Sequence, residues 1–320
     1  VRVCHPRGCL LEGHSGRYRI ETLRPLSVLV CFRPAEVRSG EVRPGEVRSG
    51  EVRSGEVRPS DVRPGEVSLN LESVLDGIAQ AAEAGAALLA LPEKWTTSFL
   101  PSYPPEILEA SDRALDAVHK VATDAELTVV GSAPGKGEVK PTNEIHFLGA
   151  AGNLRPYRKR MMFSPTGEGR SLEAGRGLPE TVPTPVGRVC AFVCYDLRFP
   201  NLYRELSQSG AEILFVPAAF TQKTGQAHWH VLNRARAIEN GAFVVAPCAI
   251  GKVDGGGASY GHSLIINPWG EILADGGDQV GVISAVIDLD EVGTARQRIP
   301  SLRHDKSFAI TEGVATKATR

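Results

Sequence analysis

Cys194 closes the apolar run RVCAFVC (188–194), and YDLRFPNLYREL follows it into the start of a helix. A cysteine at such a turn is held rigidly, and the partial positive charge of a helix N-terminus favours its thiolate. That makes Cys194 a candidate nucleophile, although a buried structural thiol fits the same setting. Cys190 lies on the same run at an even offset and reads as core. Cys248, at the end of another apolar run, is a second and poorer candidate. A reactive thiol needs a base. His228 and His230, in AHWH, and His262, in YGHS, are possible bases, and each also fits an ordinary hydrogen-bonded role. Glu93 follows LLALP where a buried strand emerges, and apolar surroundings raise a carboxylate pKa and make it a better base. Lys159 sits among Arg158 and Arg160, which reads as a solvated basic run. Residue types alone leave the base open.

These side chains need a rigid frame. Leu71, Val74, Leu75, Ile78, Ala81 and Ala82 share one helical face, with Ser68 or Asn70 as N-cap and Gly85 at the end. Residues 86–92 read as a buried strand stopped by Pro92. Ser111 is expected to cap a second helix running to about Glu126, with Leu115, Val118, Val121 and Ala122 inward. Strands follow at 127–132, 144–149 and 154–158, then at 188–194, 211–217, 242–248 and 281–289. Helices are expected at 201–208 and 228–240, and a hairpin at 260–275 turning at Pro268–Gly270. Strands alternate with helices and then give way to hairpins, which predicts an α/β fold with a mixed sheet. Strands this apolar need cover on both faces, helices on one and a second sheet on the other.

Composition removes several function classes. The chain has 320 residues and a formal net charge of -1, so electrostatics give no case for a nucleic-acid or membrane partner. No apolar run reaches the roughly 18 residues that span a bilayer, and residues 1–17 lack a signal-peptide pattern. Six cysteines in a chain long enough to bury a core read as free cytoplasmic thiols rather than disulfides. No pair has CxxC spacing, and Cys190 and Cys194 have no matching Cys/His pair, so no zinc site is expected. From Ala35 a five-residue unit recurs (AEVRS, GEVRP, GEVRS, GEVRS, GEVRP, SDVRP, GEVS) with one Val per unit. That buries too little to offset chain entropy, so residues 1–66 are expected to be an irregular, disordered segment. Residues 67–320 form the folded domain.

LPE (91–93), YRK (157–159) and CYDLRFP (194–200) occur in the order and rough spacing of the nitrilase superfamily, the carbon–nitrogen hydrolases. The likeness continues through 220–247 and GHSLIINPWGEIL (261–273), and runs from about Leu69 to His304. The chain most resembles the branch of omega-amidases and deaminated-glutathione amidases. The resemblance implies an α-β-β-α sandwich with two mixed β-sheets, assembled as a homodimer or a higher homo-oligomer. It implies Glu93 as general base, Lys159 as stabiliser of the tetrahedral intermediate and Cys194 as nucleophile, with Glu168 positioning the lysine and substrate. Glu173 is a nearby rival for that last role. It further implies hydrolysis of a small amide through a cysteine thioester, with no metal or organic cofactor. The Tyr195 N–H is expected beside Lys159 at the oxyanion. Arg198 is expected either to hold a substrate carboxylate or to pair with Glu205 or Asp196. Trp229 and Phe220 are expected to line the pocket or the core. A nitrilase, an N-carbamoyl hydrolase or an inactive relative are the alternatives.

Three departures from the family stand out. Its first central strand is displaced by the repeat, and PLSVLVCF (25–32) is the segment able to replace it. Lys94 follows the expected base, and a cation there would lower the pKa of Glu93. The segment APCAIG (246–251) lacks a glutamine that relatives often carry.

Overall fold

Which strands stack against which follows from the alternation of side chains along them. In a computed structural model the described residues are 63–252, 257–278, 281–304 and 306, with the backbone of four strands nearer the N-terminus. Those four are Val3–His5, Gly8–Leu11, Arg19–Ile20 and Leu26–Val30. The repeat over 35–62 lies outside the described residues. The first three strands form a small antiparallel sheet of their own, where only irregular chain was expected.

The strand Leu26–Val30 (β1) runs parallel to Leu88–Ala90 (β2) and antiparallel to Ile283–Ile287. It therefore sits within the first sheet, hydrogen-bonded on both sides. Beyond β2 the sheet continues through Thr128–Gly135 (β3), Thr142–Gly149 (β4) and Leu154–Arg158 (β5). The second six-stranded sheet has the order Ile272–Asp275, Leu264–Ile266, Phe243–Ala246, Ile213–Phe215, Gly187–Ala191 and Thr181–Thr184. We label Gly187–Ala191 as β6.

Successive strand residues face opposite ways, and the packing follows that period. Leu88, Ala90, Val130, Ile145 and Phe147 meet Val189, Ala191, Ile213, Phe215 and Val245 between the sheets. Leu89, Val129 and Leu148 face the other way, onto the helices Val67–Glu83 (α1) and Pro105–Asp124 (α2). On the far side Cys190, Leu214, Val244 and Ile266 receive Tyr203 from Pro200–Gln208 (α3) and Trp229 from Gln222–Asn240 (α4). The layers are helix, sheet, sheet, helix. Each fully buried Leu or Phe side chain in them contributes roughly 1.5–3 kcal/mol.

Several local expectations fail for physical reasons. Asn70 is not an N-cap. It lies in the first turn of α1, buried, and its amide donates to Arg63 O (2.9 Å) and Thr96 O (2.8 Å). α2 opens at Pro105, whose fixed φ suits a first helical position, so Ser111 lies inside the helix. There its hydroxyl meets Thr96 Oγ1 at 2.8 Å. Val121 is 38% exposed rather than inward, because α2 turns that position off the sheet. α4 starts six residues earlier than expected, at Gln222. Tyr260 leaves the expected 260–275 hairpin and joins a separate strand, Ala258–Tyr260, paired with Ile250–Lys252. A last helix, Asp290–Arg298 (α5), carries too few apolar residues to announce itself by period. Gly85 does end α1: it takes φ 65°, and its N–H donates to Ala82 O while Ala86 N–H donates to Ala81 O.

Candidate active site

Three chain segments reach one point at the ends of the strands. Glu93 follows β2, Lys159 follows β5, and Cys194 follows β6. Stacking the sheets brings the carboxyl ends of the parallel strands together, where α/β folds commonly place ligands.

The loop after β2 is pinned. Leu91 N–H donates to Val130 O (2.8 Å), Trp95 N–H to Ser132 O (3.0 Å) and Lys94 N–H to Ser132 Oγ (2.9 Å). Gly131 leaves room there, since a Cβ would lie 2.8 Å from Leu91 Cβ and 2.9 Å from Trp95 Cδ1. Glu93 is 1% exposed and accepts three hydrogen bonds. Asn143 Nδ2 (2.9 Å) and Lys159 Nζ (3.0 Å) donate to Oε1, and Ala219 N–H (3.1 Å) donates to Oε2.

Lys159 is not a solvated residue. It is 1% exposed, with Nζ donating to Glu168 Oε1 and Oε2 at 2.8 and 2.9 Å as well as to Glu93. Burial opposes its charge, but the two carboxylates outweigh it and hold the amine well above its ordinary pKa. Glu168 is burdened by burial too, yet Lys159 keeps it ionised and below its usual value. Removing one partner from such a buried set typically costs about 3–5 kcal/mol. Glu173 takes no part: its carboxylate accepts from the N–H groups of Glu138, Val139 and Lys140.

Cys194 has φ 48°, uncommon for any side chain but glycine. The turn is held by Cys194 N–H to Pro217 O (2.9 Å) and Asp196 N–H to Val193 O (3.0 Å). Asp196, buried, accepts from Val193 N–H (2.9 Å) and the Tyr157 hydroxyl (3.0 Å). Tyr195 N–H, between the two, has no carbonyl partner among the described residues. Burial raises the Cys194 thiol well above the ordinary thiol range. Glu93 adds to the rise, while Lys159 and the Ala219 N–H oppose it. The thiol is protonated at neutral pH, and the Glu93 carboxylate acts on it electrostatically.

Cys194, Lys159, Glu168, Tyr195 and Arg198 all line one narrow pocket, together with Phe99, Phe163, Ala219, Phe220, Thr221 and Thr224. Arg198 makes no salt bridge with Glu205 or Asp196. Its two terminal nitrogens lie 3.3 Å from His228 Nδ1, and its guanidinium lies over the Phe220 ring at 5.2 Å. Phe220 reaches the pocket, but Trp229 is fully buried core. None of the three histidines approaches Cys194 by any contact among the described residues; His228 faces Arg198, and His230 and His262 face Asp275.

Lys94 is less of a cation than its sequence position implies. It is 1% exposed, its Nζ donates to the Tyr103 hydroxyl (2.7 Å), and it lies 3.2 Å from the Phe99 ring centre. Burial draws its pKa down to about 7, against the pull of Glu93. Asn143, Ala219 and Phe99 are the site residues that sequence reasoning missed, and His228, weighed there as a base, lies instead beside Arg198. No motif marks them: Asn143 arrives on β4, Ala219 from the loop after Ile213–Phe215, and Phe99 from the loop that also carries Glu93.

Comparison with known proteins places this geometry. The carbon-nitrogen hydrolase family matches residues 54–297. Deaminated glutathione amidase of Synechocystis is 38% identical over 252 residues, covering 73% of this chain and 92% of that protein. The omega-amidase NIT2 of Homo sapiens is 32% identical over 248 residues, covering 74% of this chain and 90% of that protein. Among solved structures, a mutant of the amidase from Nesterenkonia sp. AN1 superposes with TM-score 0.66 at 23% identity, covering 87% of this chain and 95% of that one. That structure shows the acetamide moiety of fluoroacetamide added covalently at the active-site cysteine. Fold, sequence match and the three converging motifs agree: this chain belongs to the carbon–nitrogen hydrolase family, enzymes that act on carbon–nitrogen bonds.

Proposed function

We propose that the protein is a thiol amidase that releases ammonia from a small amide carrying a carboxylate. The observation that carries this reading is the buried Lys159 ammonium held by Glu93 and Glu168 at the floor of the Cys194 pocket. A cation fixed there at the cost of burial is set to receive developing negative charge.

Glu93 takes the Cys194 proton as the sulfur attacks the amide carbon. The carbonyl oxygen becomes an oxyanion that accepts from Lys159 Nζ and the Tyr195 N–H. Removing one such donor typically costs about 3 kcal/mol of transition-state stabilisation. Glu93 returns the proton to the departing nitrogen, and ammonia leaves a thioester on Cys194. Glu93 then activates a water, which cleaves the thioester to the acid and restores the thiol. Every proton passes through one carboxylate.

The substrate carboxylate is assigned to Arg198. No carboxylate among the described residues pairs with its guanidinium, and Phe220 and His228 hold it at the pocket wall. The names of the two curated relatives, both amidases, support the amide over the nitrile or N-carbamoyl alternatives. The test is ammonia release from omega-amides of short dicarboxylic acids, from matched neutral amides, from nitriles and from N-carbamoyl amino acids. The reading expects turnover of the carboxylate-bearing amides. It also expects Arg198→Ala to raise KM for them at least tenfold with little change for neutral amides. Turnover confined to nitriles would reject it.

A further inference from the structure

Away from the pocket, one acid bridges two histidines in a way the reaction does not use. Asp275, at the end of its strand, lies 2.9 Å through Oδ2 from His230 Nε2 on α4. Its Oδ1 lies 3.0 Å from His262 Nδ1 in the loop before Leu264–Ile266. One ligand atom from each of the three residues lies within 4.8 Å of the other two. Two imidazoles and a carboxylate suit zinc and its neighbours in the first transition series, and three protein ligands leave a position for water. Each side chain is about a quarter to a third exposed (28%, 26% and 32%), so an ion and its water can enter from solvent.

Independent contacts hold the ligands in place. His262 has φ 50°, a conformation a histidine keeps only when its surroundings impose it. Its N–H donates to Gly277 O (2.6 Å), and its carbonyl accepts from Trp229 Nε1 (2.6 Å). Its ring stacks on Tyr260 with centroids 4.4 Å apart and planes at 21°. Gly277 N–H donates to Asp275 Oδ1 (2.9 Å), which fixes the carboxylate as an outer-shell partner does in metal sites. Tyr260 also meets His230 edge-on, at 6.1 Å.

We propose that His230, His262 and Asp275 form a binding site for a divalent zinc-like cation that clamps α4 to the second sheet. The first turn of α4 carries Thr224, and Thr221 directly precedes it; both line the pocket. The cation therefore acts on the pocket through the helix and takes no part in the bond-breaking steps. A motif search for zinc misses this set because Asp275 stands 45 residues from His230 and neither histidine has a cysteine partner.

The test is calorimetric titration of the full chain with zinc chloride, run on the wild type and on Cys194→Ser, which removes the catalytic thiol as a rival ligand. One equivalent should bind both proteins. His230→Ala and Asp275→Asn should each weaken binding at least tenfold, and zinc should raise the Tm of the wild type but not of these variants. No saturable binding to the wild type, or binding unchanged in Asp275→Asn, would overturn the site. Should either variant fail to fold, wild-type crystals soaked in zinc decide. An anomalous peak among the three side chains supports the site, and its absence there overturns it.

Discussion

Lys159 and Lys94 are both fully buried lysines near Glu93, yet they behave oppositely. Lys159 has two carboxylates within hydrogen-bond reach and stays charged, while Lys94 has a phenol and a ring and is drawn to about 7. The difference makes a stability prediction. A lysine whose folded pKa lies below its unfolded value binds fewer protons folded than unfolded across that interval. Stability then rises as pH climbs from about 7 towards the unfolded lysine value, and the full penalty applies below about 7. Lys94→Met should stabilise the protein by about 1–3 kcal/mol at pH 6, after the lost Tyr103 contact is set against the relieved burial. The gain should shrink by pH 9. Denaturant melts at the two pH values check this, and a gain that grows with pH contradicts it. For the chemistry, Glu93→Gln keeps the shape but removes the proton acceptor, and kcat should fall about 10²–10⁴-fold with the fold intact by circular dichroism. At this scale the motifs made Glu93, Lys159, Cys194 and Glu168 legible as a set. Cys194 by itself was not, because strand-end cysteines are usually structural. Asn143, the Ala219 N–H and the His228 partner of Arg198 were illegible, since each depends on how two remote segments meet.

Among the elements, β1 is short but paired on both sides. Five residues supply backbone bonds to strands on both sides, in a sheet whose next strand leads into Glu93. Val28→Pro removes a donor from the middle of a central strand and should cost about 3 kcal/mol or more, seen as lost soluble protein or a lowered Tm. Soluble, monodisperse and active protein from residues 67–320 alone would contradict the need for this strand. Segment 25–32 was recognisable because Val28 and Val30 suit a buried strand. What the sequence did not disclose was its neighbours, as strand order depends on long-range pairing. The core helices were readable from their apolar period. Their starts were not: Pro105 opens α2 by its fixed φ, and Asn70 spends its amide on Arg63 and Thr96, so the polar residues expected as caps were engaged elsewhere.

Taken as one molecule, the two sheets shield the buried charges while the outer helices meet solvent. No helix among the described residues is long and apolar enough to cross a membrane. Among the described residues, the exposed large apolar side chains include Val231 (67%) and Ile238 (50%) on α4 and Trp269 (50%) at the hairpin turn. A Cβ on Gly270 would lie 2.5 Å from Ile238 Cγ1, so the turn packs directly on the helix. The central claim is that Cys194 forms a thioester in a pocket where Glu93 moves its proton. Intact-protein mass spectrometry, quenched with acid soon after a carboxylate-bearing amide is added, tests it most directly. The account predicts the acyl mass on the wild type and none on Cys194→Ala. An adduct that persists in Cys194→Ala, or that maps to Cys248, would contradict it.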